Sequence, residues 1–407
     1  MKLRLCLFLA AISVALAAAP AWTARRPRYG GILRVEIGAS VASLDPDVKA
    51  ATPEEAAAKL QIDSLIFDHR DADGAFAGAA GSGPFRVTAF EAGKRVVLAA
   101  NEEFREGRPF VDGIQVAMGR GAHERLVDLE LSKTDLTEIA PQDARRAAEQ
   151  GVRISVSQPD ELLALVFAPV TTRPNTAVAA SANLSGQALS LAIDRVAIVN
   201  FILQKTGEVA GGLLPQWSSG TAFLFPAAAP TAADLTHAKE LWKEIAPSGA
   251  LVLGYDSADP LEQSVAERIV VNAKEAGMAV RAQALPDANA EKSRSAALRA
   301  ARVDMELVRW RMTSPLPGDA LRGILLAVDG NTLMRTDETP LPDPASPEDI
   351  YKQQRAVLNT FRVVPLVWLP QVYGLSARVR DWKAPGPGEN WPLADVWLDA
   401  DVATGVR

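Results

Sequence analysis

Residues 250–285, ALVLGYDSADPLEQSVAERIVVNAKEAGMAVRAQAL, restrict the fold more than any other stretch of this chain. Leu251-Val252-Leu253 has the make-up of a buried strand. Asp259-Pro260 supplies a helix cap followed by proline in the first helical position. Gly277 ends the helix, and Met278–Ala284 alternates as a second strand. Two strands joined by a helix of this length run in the same direction, so they pair only through a crossover. A parallel pair buries both its faces, and helices must therefore lie on either side of the sheet. The fold class expected from the unit is α/β.

The surrounding texture extends the pattern. A helix is expected over 290–301, and DMELVRW then reads as a further strand. Ser346-Pro347-Glu348-Asp349 caps a last helix, followed by the extended run VVPLVWLPQVYGLSARV. Upstream, LSLAIDRVAIVNFIL reads as one amphipathic helix with Leu191, Ile193, Ile198 and Ile202 on its buried side. Before residue 185 the texture is different. Ile32–Ile37 alternates as a strand after Tyr29-Gly30-Gly31, and Thr52, Pro53 and Glu55 spell a capping box for a helix to Leu65. GSGPFRVTAFEAGKRVVLAANEEFREGRPFVDGIQV, residues 81–116, is a three-stranded meander. Short strands are expected at Val152–Ser157 and Glu161–Phe167, with 169–183 irregular. At 407 residues the chain exceeds one ordinary core, and the change of texture near residue 185 suggests two lobes.

Lys2 and Arg4 precede an apolar run from Leu5 to Ala19, and Ala19-Pro20-Ala21 supplies the small residues of a cleavage site. Residues 1–21 are thus expected to be a secretory signal peptide, with 22–28 a flexible leader. Cys6, the single cysteine, lies inside the signal and too early for a lipoprotein site. The mature chain is expected to have no disulfide and no cysteine-based metal site. The formal net charge is −6, and loss of Lys2 and Arg4 makes it more negative by two. An acidic chain without a Lys/Arg block is a poor partner for nucleic acid or an anionic membrane.

Signatures of catalysis are missing. The sequence has no Gly-x-Ser-x-Gly elbow, phosphate-binding Gly-Lys loop or His-Glu-x-x-His pair. His69, His123 and His237 stand alone, and the Glu102-Glu103 pair suits a turn better than acid–base chemistry, so no enzyme and no cofactor are expected. Ligands of open α/β sheets bind beyond the carboxyl ends of the strands. That rule points to Trp217, Tyr255, Trp310 and Tyr373, and to the cations of Arg309-Trp310-Arg311, with Thr313 close behind. The competing structural role for Trp310 is core packing, with its flanking arginines solvated or ion-paired.

YGGILRVEIGASVASLDP, the 81–116 meander, LSLAIDRVAIVNFIL and DMELVRW with its extended return together resemble family 5 of the extracellular solute-binding proteins. These are the dipeptide-, oligopeptide- and nickel-binding components of ABC importers. The resemblance implies a two-lobe, periplasmic binding protein type II-like fold with a hinge. Residues 29–185 and 376–407 would form a proximal lobe and 186–375 a distal lobe, with crossings near 170–186 and 371–381. It also implies a periplasmic monomer that captures a peptide-like or other small polar solute and delivers it to membrane permease subunits. Two departures stand out. Only 36 residues separate Pro46 from Gly83, so the family's middle subdomain is largely missing. After Trp310 come Arg311-Met312-Thr313-Ser314-Pro315, with no carboxylate until Asp319, a local charge better suited to an anionic or neutral ligand. The alternative in a different class is a reduced, non-transporting member acting as a periplasmic interaction or sensory module.

Overall fold

The computed structural model describes residues 26–50, 53–67, 81–167, 176–219, 224–245, 249–286, 298, 302–330 and 346–399. Its frame is one mixed sheet of eleven strands. The strands are β1 (Ile32–Glu36), β2 (Phe85–Glu91), β3 (Arg95–Ala100), β4 (Gly113–Ala117), β5 (Leu136–Ile139), β6 (Arg153–Phe167), β7 (Glu208–Val209), β8 (Leu251–Asp256), β9 (Val280–Leu285), β10 (Met305–Arg311) and β11 (Val363–Leu375). They lie in the order β2-β3-β4-β1-β5-β11-β6-β10-β8-β9, with β7 also on β11. A separate ribbon pairs β12 (Val379–Arg380) with β13 (Trp397–Leu398).

The meander forms as its pattern requires. β2 and β3 pair antiparallel from Phe85↔Ala100, and β3 and β4 from Ala99↔Gly113. Asn101, almost wholly buried, fixes the turn after β3: its Nδ2 donates to the Gly83 carbonyl at 2.8 Å and the Gly81 carbonyl at 3.1 Å, and its Oδ1 accepts from the Glu103 amide. Gly113 lies between β1 and β3, where a β-carbon would overlap the Leu98 carbonyl oxygen. Gly113→Ala is therefore expected to cost about 1–3 kcal/mol, seen as a lower midpoint in chemical denaturation with an unchanged slope.

The βαβ unit is also present. β8 and β9 pair in parallel from Leu251↔Val280, and the helix Pro260–Glu275 starts at Asp259, whose Oδ1 accepts from the Leu261 and Glu262 amides. Ser346 and Asp349 close a reciprocal capping box on the helix Pro347–Leu358.

Four local expectations need correcting or lie out of view. The two short strands expected between 152 and 167 are one 15-residue strand, β6. It survives an interior proline because Pro159 faces Pro370 of β11 at a register shift, where ladder donors are not required. The segment read as irregular from 169 to 183 contains the start of the helix Thr176–Ala192. LSLAIDRVAIVNFIL is not one helix. Asp194 interrupts it and caps a new turn by accepting from the Ala197 amide at 2.9 Å, and Ile198–Ile202 continues as a π-helix. Thr52, His69, the helix expected over 290–301 except Leu298, and the signal segment lie outside the described residues. Within them, no helix is long and apolar enough to cross a membrane.

Side-chain alternation sorts the interior into large apolar clusters. Leu163, Leu165, Met305 and Leu307 pack with the helices 176–192, 235–245 and 260–275 on one face of the sheet. Leu162, Ala164, Val166, Trp310 and Trp368 pack on the other, against the helices 317–330 and 347–358. A third cluster joins β1, β3, β4 and the helix 53–66 to Tyr373, Leu375 and the tail residues Trp382 and Leu393–Leu398. The chain passes between these cores inside two long strands, β6 and β11, which pair antiparallel almost throughout. Leu162–Phe167 pack with residues 188–369.

Candidate functional site

β8 and β10 are parallel, with Met305 beside Leu253, so their carboxyl ends open on one edge of the sheet. Tyr255 and Asp256 end β8, Arg309 and Arg311 end β10, and the helix at Asp259 begins beside them. β6 runs antiparallel to β10 and places Glu161 opposite Arg311 and Leu163 opposite Arg309. Alternation puts both arginines on one face and Trp310 on the other.

Each arginine already has partners. Arg309 donates to Asp259 Oδ2 at 2.7 Å and to Glu161. Arg311 donates to Glu138 Oε1 on β5 at 3.3 Å and to Gln371 on β11. Buried Gln371 passes the connection on: its Nε2 donates to Asp160 Oδ1 at 3.2 Å and its amide to Ser157 Oγ at 2.9 Å. One polar network therefore joins β5, β6, β10, β11 and the start of a helix. Arg311–Glu138 connects strands that feed different cores.

The electrostatics follow from burial. Burial works against the charge of Glu161, yet Arg309 and Arg311 outweigh it and hold its carboxyl below the ordinary range. Asp160 has less help: burial lifts it to about 7 despite Arg311 and Gln371. Glu262, beside the end of β8, is raised by burial to about 8 while accepting from the Asp256 amide. A carboxyl whose pKa is higher folded than unfolded is cheapest below its unfolded value, about 3.9 for Asp, and loses stability as pH rises from there to the folded value. Asp160→Asn keeps an acceptor for Gln371 without that cost. It is expected to be about 1–3 kcal/mol more stable than wild type at pH 8 and close to it at pH 4, read from denaturation midpoints at the two pH values.

The residues singled out from sequence do not converge on one surface. Arg309 and Arg311 share a face and a network, and Thr313 is exposed just past them. Trp217, half-buried, donates its indole N–H to the Pro159 carbonyl at 2.8 Å and packs against the Trp310 cluster. Tyr255 packs on the opposite face of the sheet. Tyr373 is buried among β1 and β5 residues, its ring edge-on to Trp382 at 5.3 Å. Trp310, 8% exposed, is core. Trp310→Ala is expected to cost about 3–5 kcal/mol, so a binding defect in that variant would need a parallel stability measurement.

Sequence reading missed Glu138, Asp160, Glu161 and Gln371, which supply the arginines' partners. Their strand positions were legible, but the β5–β11–β6–β10 neighbourhood that gathers them was not. Asp259 was legible as a cap, and its second contact with Arg309 was not. Local charge also differs from expectation: with the arginines paired, the edge carries no surplus of positive charge toward an anion. His123 and His237 are exposed, and Glu102 and Glu103 pair with Arg108 and Arg86 on the surface. No group of three or more metal-ligating side chains occurs among the described residues.

Residues 43–331 match the model of a family described as bacterial extracellular solute-binding proteins, family 5 Middle. The chain belongs to family 5 of the bacterial extracellular solute-binding proteins. Over 130 residues it is 27% identical to the oligopeptide-binding protein AppA of Bacillus subtilis strain 168, a match spanning 32% of this chain and 23% of that relative. Its fold is that of solved family 5 structures. The substrate-binding protein CtaP of Listeria monocytogenes superposes with a TM-score of 0.68 at 16% identity, over 91% of this chain and all of that one. DppA of Helicobacter pylori, solved with the peptide STSA, gives 0.65 at 13% identity over 91% and 99% of the two chains. B. subtilis AppA with a nonapeptide gives 0.61 at 12% identity over 92% and 100%.

Proposed function

We propose that this chain is the periplasmic substrate-binding component of an ABC importer. It captures a peptide-like or other small polar solute between two lobes and presents it to membrane permease subunits, without chemistry of its own. Family membership supports the class, and solved relatives of the same fold include proteins holding peptides.

The observation that carries the reading is the Arg311–Glu138 pair. It spans strands of different cores, at the strand ends where α/β sheets bind ligands. A zwitterionic solute fits the arrangement, with its carboxylate taking Arg309 or Arg311 and its ammonium group taking Glu138 or Glu161. Trp217 and Tyr255 supply the apolar contact from either side of the sheet, with Thr313 at the rim. β6 and β11 serve as the hinge, because they are the long strands running between the cores.

The test is thermal unfolding of the full chain against di- and oligopeptides, amino acids, sugars and nickel complexes. A ligand at 100 times its Kd stabilises by about 2.7 kcal/mol, a plain rise in midpoint. A peptide-induced rise that disappears in Arg311→Gln, with the fold intact by circular dichroism, is the expected result. A well-folded protein whose midpoint no solute moves would overturn the transport reading and favour a non-transporting interaction module.

A further inference from the structure

A cavity of about 280 Å³ lies away from the strand-end network and shares no residue with it. Its wall includes Ser190 from the helix 176–192, Arg355 and Leu358 from the helix 347–358, Asn359, Phe361 and Pro365, and is completed by the loop 227–230. No carboxylate lines it. The volume is near the lower end for small-molecule pockets, roughly 300 Å³.

Two cations attend this cavity without an anion. Arg195 is 0% exposed, and its guanidinium has no carboxylate partner among the described residues. It is held instead by oxygens: Nε donates to the Pro365 carbonyl at 2.9 Å, one terminal nitrogen to the Ser190 carbonyl at 2.8 Å, and the other to Ser190 Oγ at 3.0 Å. Ser190 and Pro365 are themselves cavity wall, so the buried charge stands directly behind it. Burial lowers Arg195 to about 10, which leaves it cationic at neutral pH. Ser190 Oγ accepts from Arg195, so its own hydrogen is available to the cavity. Arg355, exposed in the last turn of its helix, suits the helix dipole but has no hydrogen-bond or ion-pair partner among the described residues. Asn359, next to it on the wall, likewise has no side-chain partner there.

The wall is also strained. Phe361 holds φ of +52°, a region that bulky side chains avoid. Its carbonyl presses so closely on Gly186 that a β-carbon there would overlap it. Such strain persists only where surrounding structure imposes it.

We infer that this cavity binds a small organic monocarboxylate, its anionic end on Arg355, Ser190 and Asn359 and its apolar body on Leu358, Phe361 and the 227–230 loop. The anion would supply the counter-charge that Arg195 lacks. The inference is independent of what the strand-end site binds.

The experiment titrates the full chain with benzoate and with its neutral analogue benzamide, following thermal midpoint and ligand-observed NMR. Benzoate is expected to bind and benzamide not. Arg355→Gln, an exposed change that leaves the fold intact by circular dichroism, is expected to weaken benzoate about tenfold or more, and Ser190→Ala severalfold. Arg311→Gln should leave benzoate binding unchanged. Absence of benzoate binding at millimolar concentration overturns the inference, as does equal binding of benzamide. Benzoate binding that survives Arg355→Gln but is lost in Arg311→Gln would place it in the strand-end site and overturn it equally.

Discussion

Asp135→Ala is expected to lower stability by about 3–5 kcal/mol, the range found when one partner of a buried ionic cluster is removed. Asp135 is completely buried at the head of β5. Its Oδ2 accepts from the Arg34 amide and Nε at 3.0 and 2.9 Å and from Arg378 at 2.6 Å; its Oδ1 accepts from Arg34 at 3.1 Å, Ser376 Oγ at 3.0 Å and Arg378 Nε at 2.7 Å. One carboxylate thus ties β1 to the segment after β11, across more than two hundred residues of sequence. Burial opposes its charge, but the hydrogen bonds from Arg378 and Arg34 prevail and hold it at about 2. Because the folded value lies below the unfolded one, about 3.9, the stabilisation is complete above pH 4 and is lost as pH falls through 2. Denaturation midpoints across this range should show a deficit for Asp135→Ala that is constant near neutrality and shrinks by about 2 kcal/mol toward pH 2. A variant as stable as wild type at pH 7 would mean that the two arginines are satisfied by solvent, and that the cluster contributes nothing to the closure of this sheet.

Legibility followed the range of the forces involved. The βαβ unit, the Ser346 capping box and the 81–116 meander were readable because caps, turns and alternation act within a few residues. The fold class followed from them, and the family from the resemblance of four stretches, the meander among them. The continuity of β6 was not readable: Pro159 argues against a central strand until Pro370 is placed opposite it. The break in LSLAIDRVAIVNFIL needed the knowledge that Asp194 turns inward as a cap and that Asn272, 78 residues on, accepts from its amide. The site divided in the same way. Strand-end position singled out Arg309, Trp310 and Arg311 together, whereas alternation puts the two arginines on one face and Trp310 in the core on the other. The identity of their partners depended on which strands become neighbours in an eleven-stranded sheet, and no local pattern encodes that.

Arg309→Leu separates the two roles open to this arginine. If the ion pairs with Glu161 and Asp259 are structural, the variant leaves a nearly buried carboxylate without its main counter-charge, and stability falls by about 3 kcal/mol, the lower end of the buried range because the arginine is partly exposed. Glu161 fixes the pH profile. Arg309 and Arg311 outweigh burial to keep it below the ordinary carboxylate value, so its contribution is present above the unfolded value, about 4.3, and is lost at lower pH. The deficit of Arg309→Leu should accordingly be full at pH 7 and shrink below about pH 4. Adding Glu161→Gln removes the stranded charge, and the double variant should recover part of the loss, which a double-mutant cycle read from denaturation midpoints would quantify. A variant of wild-type stability would sink the structural role, because the guanidinium would then be free to leave its partners. Solute-induced stabilisation lost in Arg309→Leu while the unliganded protein keeps its midpoint would assign the arginine to the ligand.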